Sequence, residues 1–132
     1  MPTAPVLIYS DPHYHNFAAF SGLHNGINTR LLSTIRATEE AVAALQAAGG
    51  HKIICAGDMF HVRGQITPSV MNPVINMIEH FPHDTQFSVI SGNHDLETER
   101  TSEAMSSITA LGGVEMLGGH YLALFLSPFR KA

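Results

Sequence analysis

The 132-residue sequence lacks tryptophan, has one cysteine, and is only 14% charged. A single cysteine cannot form an intrachain disulfide, so we expect Cys55, inside an apolar run, to be a small buried hydrophobe in a cytoplasmic protein. The formal net charge of −4 excludes a uniformly basic, nucleic-acid-binding surface. No apolar run is long enough to span a membrane, and no basic segment precedes an apolar one near the N-terminus. We therefore expect neither a signal peptide nor a membrane partner.

What remains is the composition of an ordinary globular protein, with 45% hydrophobic residues. A chain of this length can bury roughly two-thirds of its unfolded surface. No repeat, linker or low-complexity segment divides it, which predicts a single domain over residues 1–132. No G-x-G-x-x-G follows the first apolar run, so a dinucleotide-binding domain is disfavoured.

Short apolar runs and helical spacings alternate along the chain. The runs at residues 6–10, 52–56 and 86–91 predict strands. One helix is predicted to start at Asn28 or Thr29 and to stop at Gly49-Gly50, and a second to start at Thr67-Pro68. Further predictions are a helix at 102–111 and strands at 114–117 and 121–126. This order predicts an α/β fold, a layered mixed sheet with flanking helices.

A polar motif follows each of the first three predicted strands. The motifs are Asp11-Pro12-His13, Gly57-Asp58 and Gly92-Asn93-His94-Asp95. Polar side chains at the carboxyl ends of parallel strands converge on one crevice, and carboxylates, imidazoles and an amide together suit divalent metal ions. Taken singly, each motif also fits an ordinary turn stabilised by its own Asp or Asn.

In this order the motifs resemble those of the calcineurin-like metallophosphoesterase superfamily, which reads D-x-H, G-D and G-N-H-[DE]. The resemblance implies that Asp11 and His13 hold one metal, that Asp58 bridges two, and that Asn93 holds the second. Two neighbouring divalent cations bind phosphate oxygens and activate water near neutral pH. Mn²⁺ is favoured for this ligand set, with Mg²⁺, Zn²⁺ and Fe²⁺ as alternatives.

The same resemblance implies that His94, backed by Asp95, is the acid for the leaving oxygen. The second motif continues as G-D-x-F-H and is similar to that of SbcD-type DNA-repair nucleases and their phage relatives. In those enzymes the histidine at the position of His61 contacts the scissile phosphate, whereas protein phosphatases usually carry an aspartate there. His61 is thus a candidate substrate-binding residue. Arg63 is another, because it could clamp a phosphate bidentately, although a solvated loop arginine fits equally well.

These features predict a metal-dependent phosphodiester hydrolase, a DNA exonuclease or endonuclease of the cytoplasm, or of the host cytoplasm if phage-encoded. The superfamily normally supplies later ligands from one histidine and a G-H-x-H pair, but only His120 follows His94. We therefore expect the N-terminal half of the metallophosphoesterase sandwich. An apolar sheet face, including Leu122, Leu124 and Leu126, would be covered in a homo-oligomer or by a second chain.

Two other functions stay open. A non-catalytic, truncated module could act by binding metal, nucleic acid or protein, and the missing histidines favour it. A small-molecule phosphatase or phosphodiesterase would use the same early motifs, and only substrate profiling separates it from a nuclease.

Overall fold

The computed structural model describes residues 4–62 and 65–90, together with a short strand at 115–116. Its elements in chain order are β1 (Val6–Tyr9), β2 (Leu23–His24), β3 (Ile27–Asn28), α1 (Thr29–Ala47), β4 (Lys52–Cys55), α2 (Pro68–Glu79), β5 (Gln86–Val89) and β6 (Glu115–Met116). The three predicted strands, the two predicted helices and the strand near 115 are confirmed. The predicted helix at 102–111 and strand at 121–126 lie outside the described residues.

The main sheet has the strand order β1-β4-β5-β6, and each of its neighbouring pairs is parallel. Tyr9 is in register with Cys55, and Cys55 with Val89, so the first three strands end level with one another. A separate antiparallel pair, β2 with β3, completes the strand pairing. The α/β class, with parallel and antiparallel pairs and flanking helices, is confirmed.

The core lies between one face of this sheet and the two helices. Alternate strand residues point to this face, because side chains alternate across a strand, and α1 buries Leu31, Ile35, Val42 and Leu45 at helical spacing. The core cluster includes strand residues Ile53, Cys55, Phe87 and Val89, and helix residues Val70, Val74 and Met77. Helix α2 begins directly at Pro68 although Pro73 lies within it. None of the described helices is both long and apolar enough to cross a bilayer.

The hairpin of β2 and β3, which was not predicted from the sequence, interrupts the segment between β1 and α1. Its turn is Asn25-Gly26, with φ values of 50° and 78°. An Asn-Gly pair is the strongest short signal for such a turn, because both central residues need positive φ. Asn28 then caps α1: its side-chain oxygen accepts from the backbone N–H groups of Arg30 and Leu31 at 3.0 and 3.1 Å.

Candidate metal centre

The loops that follow β1 and β4 run side by side and carry the first two motifs. Three backbone hydrogen bonds of 2.9–3.1 Å join them: Asp11 N–H to Gly57 O, His13 N–H to Asp58 O, and Tyr14 N–H to Met59 O. A parallel bridge between Tyr14 and Phe60 extends the pairing. The pairing of β1 with β4 thus continues into the loops that follow them, and these backbone hydrogen bonds fix the two motifs against each other.

The backbone at the predicted ligands is strained. Asp11, His13 and Asp58 have φ values of 52°, 46° and 47°, in the left-handed region that side chains with a Cβ avoid. Each such residue costs on the order of 1 kcal/mol and persists only where its surroundings enforce it. Here the hydrogen bonds between the two loops hold the backbone in this conformation. Strain of this kind is typical of functional sites, and here it falls on the residues that the motifs select.

Two buried aromatic residues anchor the paired loops to the core. Tyr14 is 1% exposed and Phe60 is fully buried. The Tyr14 hydroxyl lies 2.8 Å from Thr38 Oγ1 on α1 and 3.8 Å from Met77 Sδ on α2. Burial raises the pKa of Tyr14 to about 12. The residue next to His13 is therefore fastened to both helices. Its neighbours in sequence are polar, so nothing in the local pattern signals that role.

The side chains of Asp11, His13 and Asp58 converge at the end of the sheet. One ligand atom from each lies within 4.8 Å of the others, and His13 Nε2 is 3.9 Å from Asp58 Oδ2. Three ligand atoms bound to one ion at about 2.1 Å lie roughly 3.0–3.6 Å from one another, so the group must contract by about 1 Å to close on a cation. Two carboxylates and an imidazole form a donor set for divalent transition metals. The residues present therefore fit the metal that the motifs imply.

His61 lies against the same cluster. Its Nδ1 atom is 3.4 Å from Nδ1 of His13, and the two rings meet edge to face with their centroids 5.3 Å apart. In such a contact one nitrogen donates and the other accepts. With Nε2 of His13 used as a metal ligand, its Nδ1–H donates to His61, whose own proton then resides on Nε2.

The rings of His15 and Phe17 also lie against His61, and we call these two residues the ring group. The centroids of His15 and Phe17 lie 5.1 and 4.9 Å from that of His61, and 4.7 Å from each other. The Arg30 guanidinium sits 4.4 Å above the Phe17 ring and donates to the Ala19 carbonyl at 3.0 Å. The motifs do not include His15 or Phe17. Only the crowding of histidines after the first motif hints at them.

The structure thus brings together Asp11, His13, Asp58 and His61, whose predicted roles stay predictions. Arg63 and the third motif, with Asn93, His94 and Asp95, lie outside the described residues, as does His120. The described part of β5 ends beside β4, and Ile90 donates its N–H to the Cys55 carbonyl at 2.9 Å. Ile90 therefore lies at the same end of the sheet as the cluster.

Comparison with known families gives one match that covers most of the chain. A family model described as calcineurin-like phosphoesterase matches residues 4–125. No curated protein matches the sequence significantly.

Proposed function

The chain belongs to the calcineurin-like phosphoesterase family, and from that premise we propose that it is a metal-dependent phosphodiesterase of the nuclease branch, acting on DNA. Family membership and the Asp11, His13 and Asp58 cluster support metal-dependent phosphoester hydrolysis at the general level. The choice of a phosphodiester in DNA is our proposal.

The contact of His61 with His13 carries this proposal. The His61 imidazole lies beside the cluster, where it could hydrogen-bond to an oxygen of the phosphate that the cations would hold. A single donor placed in this way typically contributes 10²–10³ in rate when it stabilises charge that develops in the transition state. The aspartate usual in protein phosphatases at this position would place a negative charge there instead. The histidine in G-D-x-F-H therefore favours the nuclease branch.

Each site residue has a proposed part in the reaction. Asp11 and His13 would hold one divalent cation, Asp58 would be shared with a second, and Asn93 would be one ligand of that second cation. Bound cations in this arrangement polarise the phosphate and lower the pKa of water. His94, oriented by Asp95, gives a proton to the leaving oxygen. We propose Mn²⁺ as the working ion, because mixed nitrogen and oxygen ligands suit it.

Charge determines how such a chain would bind DNA. At a formal net charge of −4 the protein as a whole repels a polyanion. Attraction must be local and come from the bound cations, His61, Arg63 and Arg30. DNA binding should therefore depend on divalent metal and weaken steeply with added salt.

The test is cleavage of labelled single- and double-stranded DNA by the purified chain with Mn²⁺, Mg²⁺, Zn²⁺ or Fe²⁺. Asp58→Ala and His94→Ala should abolish cleavage, and His61→Ala should slow it roughly 10²–10³-fold. His24→Ala is the control, since His24 is exposed in the hairpin. Cleavage that survives Asp58→Ala and His94→Ala would overturn the assigned site.

Two other outcomes would favour the alternatives. Hydrolysis of aryl or cyclic-nucleotide phosphodiesters without any cleavage of DNA would indicate a small-molecule phosphodiesterase. Metal binding without turnover on any substrate would indicate a binding module. A nuclease of this branch would work in the cytoplasm, or in the host cytoplasm if a phage encodes it.

We also propose that the chain self-associates or pairs with a second polypeptide. Ile8 in β1 is 53% exposed, although its neighbours in the sheet are apolar. Sedimentation at micromolar concentration tests this. A dimer or larger species that Ile8→Glu dissociates is expected, and a monodisperse monomer would contradict the proposal.

A further inference from the structure

A cavity of about 240 Å³ opens next to the ring group that surrounds His61. Its lining includes His15, the buried Phe60, Val62 and Ile66. Gln65 and Thr67, both exposed, add an amide and a hydroxyl to the lining. The lining is thus mainly apolar, with a few polar groups.

His15 connects this cavity to the candidate metal centre. Its ring lines the cavity and also contacts His61 at 5.1 Å between centroids. The His61 ring in turn lies 5.3 Å from that of His13. Two ring-to-ring contacts therefore separate the cavity from the cluster that would bind the phosphate. A group attached to that phosphate could reach the cavity.

We propose that this cavity is a subsite for one nucleobase of the DNA substrate, next to the phosphodiester that is cleaved. The inference rests on the proposed function and names a part of the substrate that the metal cluster does not bind. A second, independent property of the cavity, its size, restricts what enters. Ligand pockets for whole drug-sized molecules measure roughly 300–1,000 Å³, so this one suits a single planar ring system rather than a complete nucleotide.

The lining chemistry agrees with a base. Apart from the His15 imidazole, the described lining residues are apolar or carry neutral hydroxyl and amide groups, and such a surface suits a neutral planar ligand. The His15 imidazole offers a flat ring, and stacking on such a ring tolerates every base because each has a π-face. The Gln65 amide and the Thr67 hydroxyl can hydrogen-bond to the edge of a base.

The first test uses nucleosides alone, without metal, so it does not depend on hydrolysis. Methyl NMR spectra of the full chain are recorded with thymidine or deoxyadenosine, and with deoxyribose 5-phosphate as the base-free control. The Val62, Ile66 and Val70 methyls should shift with the nucleosides only. Ile78, a partly buried residue that packs on the core and does not line the cavity, serves as the internal control. Equal shifts with the sugar phosphate, or none with nucleosides, would overturn the subsite.

Variants then test the ring and the wall separately. His15→Ala should weaken nucleoside binding at least about fivefold, as expected for the loss of one stacking partner, while His15→Phe should retain it. Ile66→Ala should also weaken binding, and the matched Ile78→Ala should not. Thermal melting of each variant distinguishes a lost subsite from a lost fold. Unchanged nucleoside affinity in both His15→Ala and Ile66→Ala would contradict the assignment.

The two proposals fail in different ways. Nucleoside-specific shifts in a chain that cleaves no DNA would keep the subsite and reject the nuclease. DNA cleavage whose KM is unchanged when an abasic site replaces each nucleotide beside the cut would keep the nuclease and reject the subsite. If both proposals hold, His15→Ala should raise KM for normal DNA and have no further effect on the abasic substrate.

Discussion

The hydroxyl of Tyr14 lies 2.8 Å from Oγ1 of Thr38, and both residues are buried. Each hydroxyl has a second acceptor within reach, the Thr34 carbonyl at 3.1 Å for Thr38 and Met77 Sδ at 3.8 Å for Tyr14, so either can be the donor in the pair. Because Tyr14 directly follows His13, this bond fastens a predicted metal ligand to α1. The position of the metal centre therefore depends on a hydrogen bond inside the core.

Removing the Tyr14 hydroxyl should lower the free energy of unfolding. Tyr14→Phe keeps the ring and loses the bond to Thr38, so we expect a loss of about 0.5–1.5 kcal/mol. Tyr9→Phe is the matched control. The Tyr9 hydroxyl is buried beside Tyr14 and Cys55 but makes no hydrogen bond of good geometry within the described residues, so its removal should change stability by less than ~0.5 kcal/mol or raise it. Urea denaturation measures both, and an equal loss in the two variants would contradict the assigned role of Tyr14.

The same tyrosine predicts how stability depends on alkaline pH. Burial raises the pKa of Tyr14 from 10.0 to about 12, so between these values the unfolded chain loses a proton that the folded chain keeps. The free energy of unfolding should then fall as the pH rises from about 10 to 12, by roughly 2–3 kcal/mol in total. Burial also raises the pKa of Tyr9, so the comparison belongs in a Tyr9→Phe background. There, Tyr14→Phe should flatten the pH dependence in this window, and an unchanged slope would contradict the prediction.

The strained backbone allows the binding role of Asp11 to be separated from its structural role. Asp11 is exposed, with φ of 52°. Asp11→Gly relieves a strain of about 1–2 kcal/mol but adds freedom to the unfolded chain worth about 0.4–1 kcal/mol. The metal-free chain should therefore keep its stability or gain up to ~1.6 kcal/mol. Its Mn²⁺ affinity should fall more than about 100-fold, because even outer partners of metal ligands contribute 10- to 100-fold.

Asn25→Gly is the control for this variant. Asn25 has nearly the same φ, 50°, in the hairpin turn, so it should give the same change in stability and leave metal affinity untouched. Titration calorimetry with Mn²⁺ and thermal denaturation without metal give the two readouts. Unchanged Mn²⁺ affinity in Asp11→Gly would remove Asp11 from the ligand set.

The sequence predicted the strands and helices of the described chain because their apolar spacing is regular. Parallel strands present their carboxyl ends at the same edge of a sheet. Because the motifs follow those ends, the convergence of Asp11, His13 and Asp58 could also be expected from the motifs alone. The positive φ values at these three residues could not be predicted, since they arise from the hydrogen bonds between the two loops. Propensity describes single segments and contains no information on such pairing.

The same limit applies to Tyr14 and to the ring group. Tyr14 lies among polar residues, and its burial depends on Thr38 and Met77, which are 24 and 63 positions away. His15, Phe17 and Arg30 meet because the hairpin folds the intervening chain back onto the start of α1. The hairpin itself was predictable from Asn25-Gly26, although its place beside the metal centre was not.

Asn28 is the residue that joins this hairpin to the helix, and its substitution tests that connection. Its side chain caps α1 through Arg30 and Leu31, and also donates to the Phe17 carbonyl at 3.0 Å. Asn28→Ala should lower the free energy of unfolding by about 0.5–2 kcal/mol, the range for a lost N-cap. Thr67 caps α2 by position but makes no side-chain bond to its backbone, so Thr67→Ala should change stability by less than ~0.5 kcal/mol.

A further consequence of losing Asn28 concerns the rings near His61. Without the hydrogen bond from Asn28 to its carbonyl, Phe17 should loosen its contact with His61. The backbone hydrogen bonds between the two loops would still hold Asp11, His13 and Asp58 in place. We therefore expect Asn28→Ala to keep its Mn²⁺ affinity within about threefold and to lose catalytic rate on DNA. Calorimetry and single-turnover cleavage measure these separately. A parallel fall in metal affinity would show that the hairpin supports the ligands directly, and an unchanged rate would show that the rings do not position His61.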